Sequence, residues 1–172
     1  MRSVELKSHS ADEPCPSCGA RLGGRQGCQE AFEHLSAEAW SSPVRAAVHN
    51  LVVDTYAMQH SEEYGRSAKS YVAHLTALCC NIEAPGNQAL YWAIPRWLDG
   101  SVNLERPHDR SFRGAMTVAD VHKSQREEEY PELVRRWAKD VWQAYAPQQG
   151  VARQWLEAVR LDGNRAGVER RR

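Results

Sequence analysis

The sequence lacks an excess of either charge, because 22 lysines and arginines are balanced by 22 aspartates and glutamates. Proteins that coat nucleic acid or an anionic membrane carry a surplus of positive charge, so we do not expect either partner. No apolar run approaches the roughly 20 residues that span a bilayer, and residues 1–10 contain no apolar signal-peptide core. We therefore expect a soluble, cytoplasmic protein with no membrane-spanning segment.

Motifs that would name a reaction are also missing. The sequence contains no Walker phosphate loop, no G-x-S-x-G nucleophile elbow and no dinucleotide fingerprint. It shows no internal repeat and no alternating pattern typical of a strand. Its 172 residues are enough for one good core but too few for two large domains.

The sequence contains only five cysteines, which is an odd number. An odd count without a secretory signal argues against a disulfide framework. Cys79 and Cys80 are adjacent within an apolar helical pattern, so we expect them to be small buried hydrophobic residues. The other three cysteines lie together near the N-terminus and form the strongest signal in the chain.

That signal is the turn Cys15-Pro16-Ser17-Cys18-Gly19, followed ten residues later by Cys28. A tight turn places both thiolates on one side of the backbone, where a tetrahedral zinc ion can bind each at about 2.3 Å. Gly19 allows a positive φ, and nearby backbone N–H groups can then point at the sulfurs. Cys28 supplies a third thiolate, and the absence of a second CxxC pair means that the fourth ligand must come from elsewhere.

Apolar residues recur at helical spacing through most of the chain, which predicts an all-α fold. We expect an irregular bundle of four to six helices with an N-terminal zinc-knuckle-like turn. The predicted helices are 28–39, 43–60, 66–83, a short helix interrupted near Pro95, 117–122, 131–146 and 151–161. The three glycines of residues 21–27 predict a loop. Residues 15–161 would form a single domain, between a flexible N-terminus (1–14) and a flexible tail (162–172).

The topology suggests His60 as the fourth ligand. Helices joined by short loops are antiparallel neighbours, so the start of the helix at Cys28 and the end of the helix at His60 meet at one end of the bundle. Two other histidines remain possible ligands, His34 on the first helix and His9 in the N-terminal segment. Alternatively, His60 simply caps its helix, where a cation is favoured by about 0.3–1 kcal/mol.

A second cluster could form deeper in the bundle, from His49, Asp54 and His74. Asp54 lies on the flank of an apolar stripe, so we expect it to be at least partly buried and to need a partner. Facing helices of a bundle can build an acid–base or metal site from such residues. The simpler interpretation is a hydrogen-bonded polar cluster that fixes the register of the helices.

The order of these motifs resembles a family of small, uncharacterised bacterial proteins. The resemblance rests on the CPxCG turn at 15–19, the Gly27-Cys28 pair and a helix reading H-x-L-x-V-D-x-Y-A-x-Q-H at 49–60. It continues through 70–75, 117–122 and 136–138, and covers most of residues 15–156. It implies a domain of unknown function, since no activity is established for that family.

Two functions follow from these patterns. The first is a helical protein with one structural zinc held by Cys15, Cys18, Cys28 and His60, with an accessory role such as binding a protein partner or a small molecule. The second is an enzyme, either with an open zinc position or with His49, Asp54 and His74 around a pocket. A closed, buried four-ligand site would favour the first function, and a cleft that reaches His49 or His74 would favour the second.

Overall fold

The computed structural model describes residues 12–100, 103–107, 112–124 and 126–169. Its α-helices are α1 (Gly24–Glu38), α2 (Pro43–Ala46), α3 (His49–Gln59), α4 (Ser61–Tyr64), α5 (Ala68–Glu83), α6 (Gln88–Asp99), α7 (Val118–His122), α8 (Tyr130–Ala144) and α9 (Gln149–Glu169). Six of them have eleven residues or more, and within the described ranges the sole β-pairing is an isolated bridge. The predicted all-α fold is confirmed.

Helix α3 lies at the centre of the bundle. It packs against α5 and α8, and α5 in turn packs against α6, α8 and α9, while α1 packs against α3 and α7. Eight of the eleven residues of α3 are buried, on almost every side of the helix. This helix is therefore packed on more than one side; it carries His49 and Asp54, and His60 follows directly at its C-terminal end.

The predicted single helix 43–60 is divided into α2 and α3. Ser42 caps α2 by accepting from the backbone N–H of Arg45, and Pro43 occupies the first turn, where its missing N–H is not needed. Two turn residues at 47–48 then separate the helices. The predicted apolar stripe is buried only from Val48 onward, because Val44 is 39% exposed and α2 contains no buried residue.

Helix α1 begins at Gly24, four residues before the expected start, so the predicted loop over 21–27 is wrong in its second half. Gly23 takes a left-handed φ of 84° and begins the helix. Gly27 is required by packing and not by a turn, because a Cβ there would lie 1.5 Å from the carbonyl oxygen of Leu22. A glycine count alone does not distinguish these two uses.

Three further boundaries differ from expectation. Helix α6 is continuous through Pro95, which lies on an exposed face of the helix. Residues 61–65, expected as a turn, contain the short helix α4. After a 3₁₀ turn at Ala146–Gln148, α9 starts two residues early and runs to Glu169, so the backbone of 162–169 in the predicted tail is helical.

Other predicted features are found where expected. Thr117 and Asp120 form a reciprocal capping box at the start of α7, with Asp replacing the usual Glu or Gln. Cys79 and Cys80 are buried, and the five cysteines are free thiols. No helix in the described part of the chain is both long enough and apolar enough to cross a membrane. Residues 1–11 of the predicted flexible N-terminus, which include His9, lie outside the described residues. Residues 170–172 of the predicted tail lie outside them as well.

Candidate metal centre

The cysteine turn is a compact loop closed by its own backbone. The N–H of Gly19 donates to the carbonyl of Cys15 at 2.8 Å, and the N–H of Cys15 donates to the carbonyl of Ala20 at 2.8 Å. Gly19 has a φ of 84°, which a residue with a Cβ rarely adopts. The N–H of Ala20 points at the sulfur of Cys18, at 3.4 Å. This is the backbone-to-sulfur contact that the CPxCG pattern predicts.

The residues before the turn pair with the residues that follow it, up to the start of α1. Pro14 and Arg21 pair as an isolated antiparallel bridge, and the N–H of Gly24 donates to the carbonyl of Glu13 at 2.7 Å. Glu13 and Pro14, which lie inside the segment predicted to be flexible, therefore contact the residues that follow the turn. Cys28 follows on the second turn of α1, so its thiol is directed back toward the loop that precedes the helix.

His60 completes the group from the C-terminal end of α3. Its Nδ1 is 2.8 Å from the carbonyl oxygen of Tyr56, so Nδ1 carries a proton and donates to that oxygen, while Nε2 faces the sulfurs. The Nε2 atom lies 3.5 Å from the Sγ atoms of both Cys15 and Cys28. The sulfurs of Cys18 and Cys28 are also 3.5 Å apart.

These separations match a tetrahedral ion. With metal–sulfur bonds of about 2.3 Å and a metal–nitrogen bond of about 2.05 Å, tetrahedral edges are about 3.8 Å between sulfurs and about 3.6 Å from sulfur to nitrogen. The four ligand atoms lie within 4.8 Å of one another. A disulfide needs about 2.05 Å between sulfurs, so the 3.5 Å between Cys18 and Cys28 is not a covalent bond.

All four residues are removed from solvent. Cys15 is 1% exposed, Cys18 4%, Cys28 0% and His60 1%. Three polar, ionisable thiols with one imidazole are costly to bury without a partner. The donor set, the spacing and the burial together mean that this Cys3His group could hold a metal ion.

The protonation of the group is strongly coupled. Burial alone would lower the pKa of His60, but its contacts with the thiols of Cys15 and Cys18 raise that pKa to about 9. Hydrogen bonds from Cys18 and Cys28 lower the pKa of Cys15, so this thiol ionises first. Hydrogen bonds from the Cys28 thiol to Cys15 and Cys18 raise the pKa of Cys28, and burial and the charge of the neighbouring sulfurs raise it further. A cation in the centre would remove this conflict.

Aromatic rings cover the group on its helical side. Tyr56 stacks between His60 and Phe32, with centroid separations of 4.0 Å to each ring. The Tyr56 hydroxyl lies 3.8 Å from the sulfur of Cys28. Burial raises the pKa of Tyr56, so its hydroxyl stays protonated and can donate to a thiolate. Tyr56 is the tyrosine of the H-x-L-x-V-D-x-Y-A-x-Q-H motif and lies one helical turn before His60, but its contact with the thiols was not predicted.

A later segment covers the turn on its other side. The guanidinium of Arg113 donates to the carbonyl of Pro16 at 2.6 Å, across 97 positions of sequence. This contact joins the irregular region before α7 to the CPxCG loop. No periodic pattern marks Arg113 in the sequence, so only the tertiary structure identifies it.

The other two histidines proposed as ligands have different outcomes. His34 is exposed on α1, where it lies 3.6 Å from Glu38 and packs edge-on against His122. It therefore does not reach the thiols. His9 lies outside the described residues.

The second predicted cluster is assembled only in part. Asp54 is 3% exposed and accepts from Nδ1 of His74 and from the hydroxyl of Tyr91, each at 3.0 Å. Burial raises the pKa of Asp54, and the contacts with His74 and Tyr91 oppose that rise. His49 takes no part in these hydrogen bonds, and its buried Nδ1 has no partner among the described residues. Tyr91, on α6, was missed because nothing in the sequence links it to Asp54.

A helical bundle with a buried Cys3His group at one end is the class of protein that this structure defines. The chain belongs to a family of unknown function (DUF5946), whose model matches residues 13–146. The predicted resemblance to an uncharacterised family is thereby confirmed. Searches of curated proteins and of solved structures gave no match.

Proposed function

We propose that Cys15, Cys18, Cys28 and His60 bind one zinc ion, and that the role of this ion is structural. The observation that carries the proposal is the spacing of the four buried ligand atoms, which lie within 4.8 Å of one another. Three thiolates and one imidazole are a typical structural zinc set, whereas catalytic zinc keeps a position for water or substrate. Four protein ligands, each at most 4% exposed, leave no such position.

The ion would connect three parts of the chain. It joins the CPxCG turn, the second turn of α1 and the C-terminal end of α3, which are separated by up to 45 positions. A metal that ties such distant segments stabilises the folded state, because the unfolded chain does not present the four ligands together. The Tyr56 hydroxyl would donate to the bound sulfur of Cys28, a contact of the kind that tunes metal affinity.

The Asp54 cluster supports a structural role for the interior as well. Both carboxylate oxygens of Asp54 are used by His74 and Tyr91, so the cluster joins α3 to α5 and α6. A cleft at the start of α3 is lined by Val48, Asn50 and Tyr91, but by neither His49 nor His74. These contacts favour a register-fixing cluster over an acid–base site, and the cellular role would be accessory, through a protein partner or a small molecule.

Elemental analysis tests the metal directly. The purified protein is expected to hold one zinc per chain, and Cys18→Ser and His60→Ala are expected to lose it. Cys80→Ala and His34→Ala are matched controls, since Cys80 is buried away from the group and His34 is exposed. Both controls should retain one zinc.

Chelation separates a structural ion from a dispensable one. Removal of zinc by a strong chelator should lower the melting temperature and uncouple the N-terminal turn, as followed by proteolysis after residue 13. Reconstitution with Co²⁺ should give the visible absorption of tetrahedral thiolate coordination. Stoichiometric zinc that leaves without any loss of stability would contradict the structural role, and protein free of metal after reconstitution would contradict the site itself.

A further inference from the structure

A cleft of about 450 Å³ opens on the side of the bundle away from the metal centre. Its walls are the start of α3, the C-terminal end of α5, the first turn of α6 and one face of α8. Clefts that bind small molecules have volumes of about 300–1,000 Å³. None of the four proposed zinc ligands lines the cleft, so it is a separate feature of the molecule.

The charged groups of the cleft have one sign. Arg135 and Lys139 lie one turn apart on α8 and both line it, and no Asp or Glu is among its described lining residues. The pairing of Arg135 with Glu132 is exposed and long, at 3.7 Å, and such surface pairs contribute little. Asp140, next to Lys139, is turned away, because its carboxylate accepts from the backbone N–H groups of Ala115 and Met116.

Carboxamides at the opposite wall offer donors. The side-chain oxygen of Asn87 accepts from the N–H of Leu90, and that of Gln88 accepts from the indole of Trp92. Each amide therefore has its carbonyl occupied and its NH₂ group available. These two residues form the N-terminal end of α6, a helix of twelve residues whose dipole adds positive potential at that point.

The remaining lining is neutral and partly apolar. Leu51, Ile82 and Pro85 supply apolar walls. Cys80 also lines the cleft, and burial raises the pKa of its thiol to about 11, so no thiolate opposes an anion at neutral pH. The hydroxyl of Tyr91 donates to one carboxylate oxygen of Asp54, and Nδ1 of His74 donates to the other.

We propose that this cleft binds a small organic oxyanion, a carboxylate or a phosphate ester with an apolar part. The two cations of α8 would hold the oxyanion together with the amide donors at the start of α6, and the apolar part would lie against Leu51 and Ile82. Nothing in the charge pattern of the cleft suits a cationic ligand, and an uncharged ligand would make no ionic contact with Arg135 or Lys139.

Calorimetric titration with phenyl phosphate, benzoate and the neutral analogue benzyl alcohol tests the proposal on the full-length protein. At least one of the two anions should bind at least about tenfold more tightly than benzyl alcohol, and the preferred anion distinguishes a phosphate site from a carboxylate site. The double variant Arg135→Gln/Lys139→Gln should weaken that binding at least about tenfold. The matched control is Arg136→Gln, which removes an exposed cation from the same helix outside the cleft and should change binding by less than about twofold.

Amide chemical shifts locate the site independently of affinity. In ¹⁵N-labelled protein, the bound anion should shift the backbone signals of Gln88 and Ala89 more than those of residues in α7. Equal binding of benzyl alcohol, an unchanged affinity in the double variant, or no saturable binding of either anion would overturn the proposal. Circular dichroism and zinc content of the double variant verify that a loss of binding is not a loss of fold.

Discussion

The indole N–H of Trp137 donates to the side-chain oxygen of Gln59 at 3.0 Å, in the core between α8 and the end of α3. The amide nitrogen of the same Gln59 donates to the carbonyl of Met116 at 2.7 Å and to that of Arg113. Gln59 is 1% exposed and immediately precedes His60. One carboxamide thus fixes the end of α3, and with it the proposed histidine ligand, to two later parts of the chain.

Gln59→Leu should therefore destabilise the protein by about 1–3 kcal/mol, because the buried N–H of Trp137 and two carbonyls lose their partner. Chemical denaturation gives the free energy of unfolding. Gln143→Leu, an exposed position on α8, is the matched control and should change it by less than about 0.5 kcal/mol. Equal effects of the two substitutions would show that the Gln59 network contributes nothing.

The Asp54 cluster should act on stability and not on metal content. Asp54→Asn places an amide NH₂ against groups that donate to the carboxylate, and should cost about 1–3 kcal/mol, with Tyr91→Phe costing about 1 kcal/mol. The losses of stability should not add in the double variant Asp54→Asn/Tyr91→Phe, since both substitutions act on the 3.0 Å hydrogen bond between Tyr91 and Asp54. The control is Asp99→Asn, an exposed carboxylate paired with Lys69. Loss of zinc in Asp54→Asn with an unchanged free energy of unfolding would contradict this assignment.

Gly27→Ala should destabilise the start of α1. The added Cβ would meet the carbonyl oxygen of Leu22 at 1.5 Å, so the loop between the turn and Cys28 must move, at a cost of about 1–3 kcal/mol. Gly150→Ala in α9 meets no heavy atom within 4 Å and should stabilise by up to about 1 kcal/mol. Thermal unfolding of both variants gives the comparison, and a stabilising Gly27→Ala would show that the close approach does not exist.

The buried thiols of α5 predict a loss of stability at alkaline pH. Burial raises the pKa of Cys79 to about 12 and that of Cys80 to about 11, from an ordinary 9.0. Above pH 9 the unfolded chain releases these thiol protons while the folded chain keeps them, so the free energy of unfolding falls as pH rises. Between pH 9 and 10 the loss should be about 1 kcal/mol per thiol.

Urea denaturation at pH 9 and pH 10, in the presence of reductant, measures this loss. The comparison is with Cys79→Ala/Cys80→Ala, in which the decline over the same interval should be smaller because both thiols are absent. Cysteines of the proposed zinc site are the same in both proteins, so they do not affect the difference. Identical declines in the two proteins would mean that the α5 thiols titrate at their ordinary pKa.

Sequence reasoning located most helices because the spacing of apolar residues reflects the period of a helix, whatever the helix packs against. It was less successful at boundaries. The three glycines of 21–27 have the composition of a loop, but one of them serves a close approach to Leu22 within a helix. Pro95 was expected to interrupt α6, yet a proline on an exposed face is tolerated where water can reach the freed carbonyl.

The proposed metal centre was accessible from sequence for a physical reason. The reach of a CPxCG turn is local, and antiparallel neighbours bring the start of one helix to the end of the next, which relates Cys28 to His60. The contacts that surround the centre depend on pairs far apart in the chain, such as Arg113 with Pro16 and Trp137 with Gln59. No local periodicity encodes those pairs.

The sequence by itself determined the helical class, the cysteine turn and the four residues proposed to hold zinc, because each depends on spacing along a short stretch of chain or on the order of neighbouring helices. Only the tertiary structure decided that Asp54 accepts hydrogen bonds from His74 and Tyr91 and none from His49, and that a cationic cleft opens between α6 and α8. Those outcomes depend on how distant helices rotate and settle against one another, and that is set by the packing of the whole core.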